Sequence, residues 1–331
     1  MGNKYTNVYQ EGIIMTYFLL LLGFILLIKG ADFFIDGAAG IAKALKLPPM
    51  IIGLTIVAFG TSSPEAAVSI GAAIKGSSGI SLGNVIGSNI FNISLVIGIM
   101  ALLSPLKVEK QTTRKEIPFA LLSSILLLIL ALDRFLQQTG SNVITRGDGL
   151  VFLIFFSIFI YYLFEMALKS SNNNHEIIEN SGHNKGRKIF YLIIGLTGII
   201  LGGKLVVDNS IIIALSWGIS QSLVGLTIVA VGTSLPELVT SITAVLKKEN
   251  EIALGNLIGS NIFNILFILG AASVISPIHV EPTLIKDTFL MIFYTIFLFI
   301  FAMSHYRISR KEGFILLMSY LVYLAFIIIN R

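Results

Sequence analysis

Residues 53–65 read GLTIVAFGTSSPE and residues 225–237 read GLTIVAVGTSLPE, identical at 11 of 13 positions. A second pair follows, GNVIGSNIFN at 83–92 and GNLIGSNIFN at 255–264, identical at 9 of 10. Both pairs are 172 residues apart, and the same shift carries Asp36 onto Asp208 and Ser104-Pro105 onto Ser276-Pro277. A constant offset over several segments marks a duplicated chain, one copy in each half.

The surrounding sequence places both copies in a bilayer. Of 331 residues, 55% are hydrophobic and 12% charged, where a soluble protein carries roughly a quarter charged. Runs near the ~20 apolar residues needed to cross a membrane recur at 13–37, 49–74, 80–104, 117–133, 149–168, 189–209, 221–246, 252–276, 286–303 and 313–330. The expected fold is an all-α membrane protein of ten transmembrane helices. Five helices, an odd number, precede the second copy, so it enters from the opposite face. Residues 1–168 form a first repeat, 169–188 a cytoplasmic linker and 189–331 a second, inverted repeat, an architecture in which transporters bind substrate at the midplane.

Charge sets the orientation. The gaps at 43–46, 107–115, 169–188, 247–248 and 307–311 hold fifteen lysines and arginines, and the other side, with both termini, holds six. By the positive-inside rule both termini face outward from the cell membrane, inner or plasma. The net charge of +5 therefore belongs to loops, and no nucleic-acid partner is expected. The run beginning at Ile13 lacks a basic leader and reads as a retained helix. With no cysteine, and with His175, His183, His279 and His305 all in or beside polar segments, thiolate chemistry and a histidine zinc pair are excluded, and no cofactor is implied. No histidine accompanies the buried serines, so no nucleophile-base pair is evident and the chain is not expected to be an enzyme.

The duplicated segments are the least lipid-like parts of apolar helices. Pro64 and Pro236 each break a span and strain the turn before them, freeing carbonyls near Ala58 and Thr61, and near Ala230 and Thr233. Irregular backbone at that depth is tolerated where it lines a cavity. Glu65 is the only acidic residue between Met50 and Leu106, and Glu237 the only one between Asn209 and Lys248. A charge at mid-membrane costs about 3 kcal/mol, no lysine or arginine lies in those helices to offset it, and a bound cation would. Oxygen donors of this kind suit hard cations. Ser62 and Ser234, three residues before each glutamate, also fit a capping box. Ser88 and Asn92 share a helix face, as do Ser260 and Asn264; they read as cation ligands, with interhelical polar packing the alternative. Gly83, Gly87, Gly255 and Gly259 read as small-residue contact faces. Asn84, Asn89, Asn256 and Asn261 point elsewhere and read as packing partners, and Asp36 and Asp208, near helix ends, take no role.

GTS-x-PE followed by GN-x-IGSNIFN in each half of a ten-helix chain resembles the two alpha repeats of the calcium/cation antiporter superfamily, and most of all its short prokaryotic Na+/Ca2+ exchangers. The resemblance spans nearly the whole chain. It implies alternating-access exchange of Na+ for Ca2+ with Ca2+ extruded, helices one and six sliding past a central cluster. It nominates as ion ligands Glu65, Glu237, Ser62, Ser234, Ser88, Ser260, Asn92 and Asn264, with carbonyls of Ala58, Thr61, Ala230 and Thr233. The chain departs from the archaeal pattern at Asn264, where Asp is frequent. Two carboxylates match one Ca2+ or two Na+, so a three-to-one ratio is implied by resemblance alone. H+/Ca2+ antiport through the same carboxylates is the alternative within the class, and a carboxylate-lined channel the alternative outside it.

Overall fold

The computed structural model describes residues 2–138, 140–173, 185–218 and 230–330. The chain is helical nearly throughout. Helix α1 (Gly2–Leu45) outruns the expected 13–37 because AAGIAKAL at 38–45 is composed mostly of helix formers. It ends where Lys46 turns left-handed, φ 55°, ahead of Pro48-Pro49. Helices α2 (Pro49–Thr61) and α3 (Ser63–Ile74) are one apolar run bent by 51°. The bend sits at Ser62, φ −81° and ψ 6°, where Pro64 has no N–H for the carbonyl of Gly60. Helix α4 (Ser78–Leu103) follows, with a π turn at Asn92–Val96.

A π turn at Thr112–Glu116 leads into α5 (Ile117–Leu130) and the short α6 (Asp133–Leu136). Then come α7 (Arg146–Asn173) and α8 (Lys185–Ser216), both longer than expected. The second half continues with α9 (Ala230–Thr233), α10 (Leu235–Leu246) and α11 (Asn250–Ile275), which carries a π turn at Asn264–Leu269. Helices α12 (Pro282–His305) and α13 (Arg310–Asn330) close the chain. Two short antiparallel pairs join the halves: β1 (Leu106–Lys107) with β4 (Arg307–Ile308), and β2 (Val143–Ile144) with β3 (Ile278–His279). Of the expected linker 169–188, residues 174–184 with His175 and His183 lie outside the described residues, as do 225–229 of the second motif.

Seven helices among the described residues are long and apolar enough to cross a membrane, and eight if the bent α2–α3 pair counts as one span. The remaining expected spans fall on α5, of 14 residues, and α10, of 12. Depth in the bundle is unequal. The apolar windows of α4 and α11 are each 78% buried, against 17% for α7 and α13, so α4 and α11 form the centre and α7 and α13 the rim.

The duplication recurs in local structure, since α3 and α10 begin and end 172 residues apart. Both close on a left-handed residue, Gly76 at φ 73° and Lys248 at φ 64°. Only glycine takes that conformation without a Cβ clash, which costs about 1 kcal/mol. Lys248→Gly is therefore expected to stabilise the protein by up to about 1 kcal/mol, read as a higher melting temperature in detergent.

Close helix crossings rest on glycine. A Cβ on Gly53 would lie 2.6 Å from the carbonyl oxygen of Ile252, and one on Gly255 2.7 Å from that of Met50. Gly259 is as tight, 2.8 Å from Leu54 Cα, so the contact-face reading holds for Gly255 and Gly259. For Gly83 and Gly87 the partners given by the offset are at 222–226, outside the described residues. Asp36, without a role in the sequence, meets Lys247 at the end of α10. Lys247 Nζ lies 2.7 Å from carboxylate oxygens of both Asp32 and Asp36 and donates to the Asp32 carbonyl at 2.8 Å. Burial pulls the Lys247 ammonium down, but the two carboxylates outweigh it and hold its pKa above the usual lysine range. On the lysine side, the stability this contact gives is fully present at neutral pH and is lost as pH rises through the raised lysine pKa.

Candidate functional site

Four segments converge in the bundle centre: the breaks that follow α2 and α9, and the duplicated motifs within α4 and α11. Glu65 and Glu237 occupy the first turns of α3 and α10, and both are 0% exposed. Each glutamate is held by the serine of the other half. Ser62 Oγ donates to Glu237 Oε1 at 2.9 Å, and Ser234 Oγ donates to Glu65 Oε1 at 3.1 Å. The capping-box reading is corrected by this exchange, since neither serine side chain caps its own helix. A hydroxyl that can reach a buried carboxylate gains a charge-assisted bond, stronger than one to a backbone N–H.

The threonines cross over in the same way. Thr61 Oγ1 donates to Asn256 Oδ1 at 3.0 Å and Thr233 Oγ1 to Asn84 Oδ1 at 3.1 Å. Behind them, Asn84 Nδ2 donates to Ser69 Oγ at 2.9 Å and Asn256 Nδ2 to Ser241 Oγ at 3.0 Å. Deeper in the bundle, Asn92 Nδ2 donates to Asn261 Oδ1 at 3.2 Å and Asn264 Nδ2 to Asn89 Oδ1 at 3.1 Å. Asn84, Asn89, Asn256 and Asn261 are therefore direct partners of the candidate ligands rather than packing residues turned elsewhere. The signal was present in the sequence: Asn89 and Asn261 precede Asn92 and Asn264 by three residues, a spacing that shares a helix face as well as four does.

What this network leaves unsatisfied defines the site. Glu65 Oε2, Ser88 Oγ and Asn92 Oδ1 from the first half, and Glu237 Oε2, Ser260 Oγ and Asn264 Oδ1 from the second, are buried without a hydrogen-bond partner among the described residues. All six are oxygens, three from each half. Glu65 and Glu237 are close enough to interact, and the Thr61 and Ser260 hydroxyls lie beside Glu237. No lysine or arginine is paired with either glutamate among the described residues. No group of three or more His, Cys, Asp or Glu side chains able to hold a metal ion occurs among the described residues, so the donor set here is two carboxylates and neutral oxygens.

The carbonyls fit this set unevenly. Ala58 was expected to be freed by the break, but its carbonyl accepts the Ser62 N–H at 3.0 Å and also has the Thr61 hydroxyl as a donor at 3.5 Å. The bond that Pro64 cannot make is the one to Gly60 alone. In the second half the Ser234 N–H reaches Val231 instead, at 3.2 Å. A buried polar atom without a partner costs about 1–3 kcal/mol, and more if charged. The six here are carboxylate, hydroxyl and amide oxygens, the kinds of ligand that a hard cation usually takes.

A family model described as sodium/calcium exchanger protein matches residues 15–165 and 187–329. The sodium/calcium exchanger MaX1 of Methanosarcina acetivorans is 38% identical over 95% of this chain and 98% of its own. The inner membrane protein YrbG of Escherichia coli is 35% identical, over 93% and 95%. Among solved structures, the sodium-calcium exchanger NCX_Mj soaked with Na+ and Sr2+ superposes with a TM-score of 0.82 at 36% identity, over 95% of this chain and 99% of that one.

Proposed function

Because the chain belongs to the sodium/calcium exchanger family, a family of membrane transporters and not of enzymes, we propose that it exchanges Na+ for Ca2+ by alternating access at the oxygen cage around Glu65 and Glu237. The observation that carries this reading is the set of six buried oxygens without partners, centred on two glutamates with no basic counterpart among the described residues. One Ca2+ or two Na+ would neutralise the pair, so the two ions compete for one site and cross in turn. Ser62 and Ser234, with carbonyls of Ala58, Thr61, Ala230 and Thr233, complete the ligand set of whichever ion is bound.

In this reading the ten helices form two inverted repeats, 1–168 and 189–331, joined by a cytoplasmic linker. The lysine and arginine bias puts both termini outside, and an inward Na+ gradient drives Ca2+ out. The relatives support the choice of ions, since MaX1 and NCX_Mj are sodium/calcium exchangers by name. Proteoliposomes loaded with Na+ and diluted into Na+-free buffer are expected to accumulate labelled Ca2+. Uptake that follows an imposed pH gradient without Na+, and ignores the Na+ gradient, would replace this reading with H+/Ca2+ antiport.

A further inference from the structure

An asparagine side chain can turn either its oxygen or its NH2 group toward a neighbour, and the two are nearly equal in shape. For a cation site the difference is decisive, because an NH2 directed at the ion repels it. Asn264 is 0% exposed and Asn89 1%, so neither has bulk water to exchange partners with. A directed chain of hydrogen bonds fixes both. It begins at the backbone carbonyl of Asn261, a group that can only accept. Asn89 Nδ2 donates to that carbonyl at 3.2 Å, which leaves Asn89 Oδ1 facing the other way. Asn89 Oδ1 accepts from Asn264 Nδ2 at 3.1 Å. The atom then left over is Asn264 Oδ1, one of the six partnerless oxygens.

We propose that Asn89, in the first half, is a positioning residue for Asn264 in the second: it locks the Asn264 amide with its oxygen turned into the cation site. The inference rests on the cation-site reading above. It also gives the asparagine at 264 a physical counterpart. A carboxylate there would present two equivalent oxygens and would need no orienting partner, while the locked Asn89 oxygen would face one of them unfavourably. The lock and the asparagine therefore belong together.

The test is a double-mutant cycle on the full chain purified in detergent, with Ca2+ binding followed by titration calorimetry. Asn89→Leu keeps the approximate shape and removes the acceptor. In the unsubstituted background it is expected to weaken Ca2+ binding at least about tenfold. In the Asn264→Asp background the same substitution is expected to cost no more than about twofold, or to strengthen binding, because a carboxylate cannot be misoriented. Equal losses in both backgrounds would mean that Asn89 only fills space, and would overturn the proposal. Asn89→Asp supplies a comparison that does not depend on the Asn264 variant. Protonated or ionised, it keeps an oxygen that accepts from Asn264 Nδ2, so binding is expected to weaken by no more than about threefold; a loss as large as that of Asn89→Leu overturns the proposal as well. Absence of Ca2+ binding by the unsubstituted chain would remove the site reading itself, and this inference with it, and is distinguishable from either of the other results.

Discussion

Glu65→Gln and Glu237→Gln are each expected to abolish Na+-driven Ca2+ uptake, with Ca2+ affinity falling at least about a hundredfold. Glutamine matches the shape of glutamate but halves the charge facing a divalent ion. It also places an NH2 on one side of the group: if Oε1 keeps the hydroxyl of Ser234 or Ser62, the NH2 faces the ion. Removing one charged partner from a buried pair costs about 3–5 kcal/mol, which is the origin of the hundredfold figure. The effect on the empty protein has the opposite sign. A buried carboxylate without a counter-ion is destabilising, so both variants are expected to melt no lower than the unsubstituted chain in cation-free buffer and to lose the rise in melting temperature that Ca2+ gives it. Paired transport and melting measurements check both halves of this expectation. Normal uptake in both variants would refute the assignment.

The second large effect lies away from the ions, where α1 and α8 pack along facing glycines. A Cβ on Gly195 would stand 2.4 Å from the Phe34 backbone nitrogen, 2.7 Å from Phe34 Cα and 2.7 Å from the Gly30 carbonyl oxygen. Backbone meets backbone there, so no side chain can rotate to make room. Gly195→Ala is expected to destabilise by about 3 kcal/mol, the upper end for overpacking, and Gly195→Val to prevent recovery of folded protein. Gly203, on the same helix, is the comparison. Among the described residues its Cβ would meet only the Pro236 ring, at 3.6 Å, and Gly203→Ala is expected to be neutral or to raise the melting temperature through its better helix propensity. Thermal unfolding of purified protein in detergent reads all three.

The parts of this molecule legible in the sequence are those set by local chemistry. The apolar runs gave most helices to within a few residues, Pro64 gave the break at Ser62, and an acid in an otherwise uncharged span singled out Glu65 and Glu237. What was not legible depends on partners far along the chain. Ser62 has the local pattern of a helix cap, yet its hydroxyl goes to Glu237, 175 residues away. Asp36 has no role until Lys247 arrives from the other half. The four asparagines beside the site escaped for a related reason. Helix-face geometry shows which residues share a side, but the direction of an amide is decided by the acceptor it meets, and for Asn89 that acceptor is a carbonyl of the opposite repeat.

Crystals soaked in Sr2+, with its anomalous signal collected, would examine the central claim most directly. An ion bridging Glu65 Oε2 and Glu237 Oε2, at roughly the 2.3–2.6 Å that Ca2+ keeps from its oxygens or slightly more for the larger ion, is the expected result. A peak elsewhere in the bundle, or two glutamates turned away from each other with no ion between them, would contradict it.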